Sequence, residues 1–99
     1  MESFNNNLTG VEQNLHNITE AIMKLVSTGS FIVENKGISD GTTVDYTTNN
    51  VPKGSVLILH IDTNKALYLY DDTYVRNGDK VTLNSPITNG NGIYFVYVV

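Results

Sequence analysis

Six apolar residues, Leu8, Val11, Leu15, Ile18, Ile22 and Leu25, follow one another in the first quarter of the chain at alternating steps of three and four. That spacing is the seam of a coiled coil, with Leu8, Leu15 and Ile22 at a and Val11, Ile18 and Leu25 at d. A stripe so narrow asks for partner helices, and further copies of the same chain are the simplest source. The spacing therefore predicts a helix over residues 8–28 whose six stripe residues form an oligomer interface. Thr9 and Glu12 have the spacing of a capping box at its start. Gly29 suits its close. The competing reading lays the same helix against the chain's own β residues. Residues 1–7, with three consecutive asparagines, read as a mobile or anchoring arm.

Past Gly29 the apolar period changes from three-and-four to two. Short apolar runs alternate with turn residues, so residues 30–99 are expected to form a small antiparallel β domain, sandwich or barrel-like. Strands are expected over residues 31–34, 42–46, 55–61, 66–70, 73–76, 80–83 and 93–99. The turn signals are a Gly-rich cluster at residues 37–41, Pro52 with Gly54, the tetrad Asp62-Thr63-Asn64-Lys65, and Asn77-Gly78. Residues 55–61 are almost continuously apolar, which predicts a strand covered on both faces. Val56 and Ile58 in that strand are expected to add to the oligomer interface. The whole is then an α+β protein: an N-terminal coiled-coil helix followed by a β domain, assembled as a homotrimer. A β unit of this size buries a small core, and joining copies would supply more burial.

Charge excludes some partners. The chain carries six basic against ten acidic residues, net −4, and no Lys/Arg cluster of the kind phosphate neutralisation requires, so nucleic acid is not expected. No apolar stretch approaches the roughly 20 residues of a spanning helix, and membrane insertion is not expected. The polar start lacks the pattern of a signal peptide, which predicts synthesis in the cytoplasm. Cysteine is absent, so neither a disulfide framework nor a thiolate metal site can form. Asn and Thr fill 24 of the 99 positions and charged residues only 16%. Such a surface suits turns and solvated strands more than the charge-rich exterior common to cytosolic enzymes.

The residues that could carry chemistry are few and scattered. His16 falls on the solvated face of the expected helix. His60, inside the most apolar strand, reads as a histidine hydrogen-bonded to a neighbour. Asp71, Asp72 and Asp79 lack the spacing of a calcium loop. No nucleophile elbow and no phosphate loop is present. The expectation is a protein without catalytic residues, metal or cofactor. Tyrosine is the one feature pointing to recognition, and Tyr68, Tyr70, Tyr74 and Tyr94 are the candidate binding face, flat apolar rings with polar rims.

Three segments carry a resemblance: Gly41-Thr42-Thr43-Val44-Asp45-Tyr46, Val51-Pro52-Lys53-Gly54-Ser55-Val56 and Asp62-Thr63-Asn64-Lys65-Ala66. With the stripe before them, they make the chain resemble the head-fibre and capsid-decoration proteins of small tailed bacteriophages. The resemblance implies a homotrimeric virion component on the exterior of the particle, bound to the major capsid protein or another virion protein. It further implies help in adsorption, with a host cell-surface glycan as a candidate partner. The long shaft of larger fibres has no counterpart here. The alternative is a receptor-binding module of a tail fibre or baseplate that recognises cell-surface carbohydrate or protein.

Overall fold

The computed structural model describes residues 31–99. Seven strands follow one another: β1 (Phe31–Ile38), β2 (Asp45–Thr47), β3 (Leu57–Ile61), β4 (Leu67–Leu69), β5 (Tyr74–Asn77), β6 (Lys80–Leu83) and β7 (Gly92–Val98). They form a four-stranded sheet in the order β1-β7-β3-β4 and a three-stranded sheet in the order β2-β6-β5, and every pairing is antiparallel. The expected α+β architecture is thereby corrected: the described residues are all-β and contain no helix. The physical reason is that every helical signal in the chain precedes Phe31, after which β-branched and aromatic residues alternate with turn residues. The coiled-coil helix over 8–28, the arm over 1–7, His16 and the six stripe residues lie outside the described residues.

β7 organises the larger sheet, lying between β1 and β3. Ile93, Phe95 and Tyr97 alternate toward the second sheet. There they join Ile58 of β3, Val81 and Leu83 of β6, and Val56, Tyr70 and Ile87 from the connecting segments in one buried cluster. Both sheets contribute to it, so the architecture is a sandwich. Phe95 and Val81 are fully buried, and the Tyr46 ring meets Phe95 edge-on at a centroid distance of 5.4 Å.

The opposite face of the four-stranded sheet carries a second cluster. Leu59 and Val96 are buried there, with Phe31, Val33, Leu57, Leu67 and Tyr94 packed against them. Strand β3 is consequently buried on both faces, Ile58 at 3% and Leu59 at 5% exposure, as its unbroken apolar run predicts. The alternation that turns Ile58 inward, together with the inward placement of Val56, puts both residues in the sandwich core. Their side chains are enclosed by the chain's own residues, Val56 at 4% and Ile58 at 3% exposure.

Local chemistry sets the strand ends. β1 runs four residues beyond its expected end because a bulge between Asn35 and Gly37 lets the strand bend and continue, with Gly37 at φ 92°. The Gly-rich turn begins only after Ile38. β5 and β6 form the hairpin that Asn77-Gly78 signals, but Asn77 itself pairs with Lys80. The two turn residues are therefore Gly78, at φ 63°, and Asp79. Gly at the first turn position is the type II′ arrangement, whose twist matches that of the flanking strands.

Candidate functional site

A cleft of about 200 Å³ opens at the β4 edge of the larger sheet. One wall is β3 and β4, supplying His60, Tyr68 and Leu69, and continuing into Tyr70 and Asp71. The other is the segment Ser85, Pro86, Ile87 and Thr88. Both walls are held by hydrogen bonds that the sequence does not announce.

The Tyr70 hydroxyl donates to the Ser85 carbonyl at 2.8 Å and accepts from the Ser85 amide at 3.1 Å. Ser39, buried behind the same segment, donates its hydroxyl to the Ile87 carbonyl at 2.6 Å. Its backbone pairs with Gly90 and Asn91. This zipping brings the chain at Gly41 against Asn89. A Cβ on Gly41 would lie 2.9 Å from the Asn89 Cβ, and Gly41 also holds φ at 78°. Only glycine meets both demands without strain.

Asp72 fixes the floor of the loop, accepting from the Thr73 amide at 2.8 Å, the Asn84 amide nitrogen at 3.0 Å and the Ser85 hydroxyl at 2.8 Å. These bonds, that from Ser85 foremost, hold its carboxyl below the ordinary carboxylate range. Asp62 does similar work in the β3–β4 turn, where one carboxylate oxygen accepts from the Asn64 and Ala66 amides, each at 2.9 Å. Asp40 does so beyond Ser39, receiving the amides of Thr42 and Thr43 and the Thr43 hydroxyl. Asp72 thus acts as a loop brace. Among the described residues no group of three or more His, Asp and Glu side chains is gathered as a metal ion requires.

His60 and Tyr68 face each other across the β3–β4 ladder. Their rings stack at a centroid distance of 5.4 Å and an interplanar angle of 28°. The Tyr68 hydroxyl donates to the other Asp62 oxygen at 3.1 Å. That bond raises the phenol's pKa. Behind the pair, the Asn91 side-chain nitrogen lies 2.9 Å from His60 Nδ1. An amide nitrogen can only donate, so Nδ1 accepts and the neutral ring carries its hydrogen on Nε2. Burial lowers the pKa of His60, partly offset by the negative charges of Asp71 and Asp62.

Ser, His and Asp all line the cleft, yet they are not arranged for acyl transfer. A hydrolytic relay needs a histidine whose Nδ1 donates to a carboxylate and whose Nε2 accepts from the serine. His60 has the opposite tautomer, and the Ser85 hydroxyl is directed to Asp72. What the cleft presents is an exposed ring, a hydrogen-bond donor and a carboxylate.

The four tyrosines expected to share a binding face are dispersed. Tyr68, 46% exposed, stands in the cleft. Tyr70 lines the cleft wall with its ring buried in the core. Tyr74 packs against the core and accepts the Val56 amide at 2.8 Å. Tyr94 belongs to the cluster on the opposite face of the sheet. Alternation along β7 sends Tyr94 to the face opposite Ile93 and Phe95, whereas Tyr74 belongs to the other sheet and Tyr70, of the same parity as Tyr68, lies past the end of β4 where its ring joins the core. His60, expected to be hydrogen-bonded to a neighbour, is so bonded, to Asn91. By sequence alone Asp71 counts only as a calcium-loop candidate and Thr88 not at all, and nothing short of the fold places either in one cleft with Tyr68.

The described residues form a small all-β sandwich with an open cleft on one sheet edge. No protein-family model, curated protein or solved structure matches the chain.

Proposed function

We propose that the chain is a non-catalytic structural module on the exterior of a bacteriophage particle, a short head fibre or capsid decoration. In this reading it binds the major capsid protein or another virion protein, associates with its own copies, and aids adsorption through the cleft at Tyr68. Three is the copy number that the resemblance of its turn segments implies. The observation that carries the reading is how the carboxylates are used. Glu34, Asp40, Asp45, Asp62 and Asp72 each accept hydrogen bonds from the chain's own amides, hydroxyls or amine. They set the shape of loops and strand edges and leave little for chemistry. The exposed apolar side chains Ile38, Val51, Leu69 and Val75 support contacts with other proteins.

The test is location. Antibodies raised against the purified chain should label the outside of intact particles from the phage that encodes it, and peptide mass spectrometry should find the chain in those particles. Its absence from purified particles would refute the reading. Sedimentation at several concentrations then checks self-association, and a monomer throughout would remove that part.

A further inference from the structure

We infer that the cleft between His60, Tyr68, Asp71 and Thr88 binds a neutral sugar ring, the Tyr68 face taking its C–H surface and the surrounding polar groups its hydroxyls. The inference deepens the adsorption part of the proposed function by naming a ligand class. It rests on that reading only for its biological setting.

The first support is a rigid aromatic surface. Tyr68 is 46% exposed, yet its ring is stacked on His60 and its hydroxyl is tied to Asp62. Little freedom remains to be lost on binding, which is what makes a flat apolar contact productive. A sugar presents such a contact through the hydrogens of one ring face.

The second support is a set of polar groups with no hydrogen-bond partner among the described residues. His60 Nε2–H is left over once Nδ1 takes the Asn91 amide. Asp71 stands apart from the five braced carboxylates, since its carboxylate makes no hydrogen bond among the described residues. The Thr88 hydroxyl likewise makes none. One donor, one strong acceptor and one hydroxyl that can do either match the vicinal hydroxyls of a pyranose, each of which donates and accepts. A purely apolar ligand would cover the Asp71 carboxylate without compensating it, which is costly.

Charge and size narrow the class. Among the described residues no Lys or Arg lines the cleft, and Asp71 repels phosphate, sulfate and carboxylate ligands, so the sugar is uncharged. At about 200 Å³ the cleft falls below the roughly 300–1,000 Å³ usual for drug-sized ligands. One ring fits that scale, and the open edge lets a longer glycan continue into solvent.

The experiment titrates the full chain with the methyl glycosides of glucose, galactose and mannose and with N-acetylglucosamine. Backbone amide and aromatic side-chain NMR signals report binding. At least one sugar should produce saturable shifts confined to His60, Tyr68, Asp71, Thr88 and their neighbours, with millimolar affinity. Tyr68→Ala should weaken that binding about tenfold or more, and Asp71→Asn several-fold, while Asp79→Asn should leave it unchanged. Both informative substitutions lie at exposed positions, and the spectrum of each variant shows directly that it is folded. Saturation by none of the sugars up to their solubility limits would overturn the inference, as would folded Tyr68→Ala and Asp71→Asn variants that bind like the parent. Either result leaves the structural reading intact, because particle labelling is read independently.

Discussion

The Tyr97 hydroxyl donates to the Glu34 carboxylate inside the sandwich, joining two residues 63 positions apart. Glu34 is 5% exposed and Tyr97 fully buried. The same carboxylate accepts the Asn49 amide at 2.9 Å and the Lys36 ammonium at 3.1 Å. Lys36 in turn donates to the Thr47 carbonyl at 2.7 Å, tying β1 of one sheet to β2 of the other. The Tyr97 oxygen also accepts the Asn50 amide at 3.2 Å.

Removing that hydroxyl leaves a buried carboxylate and a loop amide each short of a partner. Tyr97→Phe should lower unfolding free energy by about 1–3 kcal/mol. Urea denaturation followed by circular dichroism checks this, and an unchanged midpoint would show that water replaces the lost bonds.

Lys65 closes the β3–β4 turn at φ 68°, a left-handed conformation where glycine is usual. Its amide donates to the Asp62 carbonyl at 3.0 Å, so the conformation is fixed by the turn. Lys65→Gly relieves the steric cost of a Cβ there, partly offset by the freedom glycine gains when unfolded. The expected net is a stabilisation of about 0.5–1 kcal/mol, read as a higher melting temperature.

Gly41 and Gly54 should respond oppositely to the same substitution. Gly41→Ala meets both a positive φ and the Asn89 side chain, and should destabilise by at least about 1–2 kcal/mol. Gly54 has open space around its Cβ position. Gly54→Ala should stay within about 0.5 kcal/mol of the parent or gain slightly. Equal effects in denaturant would contradict the packing of residues 39–41 against 89–91.

His60 gives the protein an acid-sensitive component of stability. Burial lowers its pKa in the folded state from the ordinary 6.5, so below that value the unfolded chain takes up the proton more readily. The contribution is fully present above pH 6.5 and is lost as pH falls through the folded value. Asp40, Asp62 and Asp72, held below the usual 3.8, lose theirs only at still lower pH. Between about pH 7.5 and about pH 5 the urea midpoint of the parent should drop relative to that of His60→Gln. Parallel curves for the two proteins would show that the imidazole is not responsible.

Asn77-Gly78 and the Asp62 to Lys65 tetrad marked their hairpins because turn preference is a property of adjacent residues. The apolar run of residues 55–61 likewise announced a strand buried on both sides. The end of β1 was misplaced, since a bulge at Asn35 and Gly37 depends on the register of β7, a strand more than fifty residues on. Tyr68, Tyr70, Tyr74 and Tyr94 look alike as composition, and they part because they belong to different sheets and to different depths of one sheet.

What the sequence by itself determined is the local geometry of residues 31–99: a β alternation, with turn residues at most of its breaks. Those follow from steric and hydrogen-bonding preferences that act over a few positions. Only the tertiary structure decided that Glu34 meets Tyr97, that Ser39 anchors Ile87, and that Asp71 and Thr88 line the same cleft as Tyr68. These pairings depend on which strands become neighbours, and burial of the whole apolar surface selects that arrangement collectively.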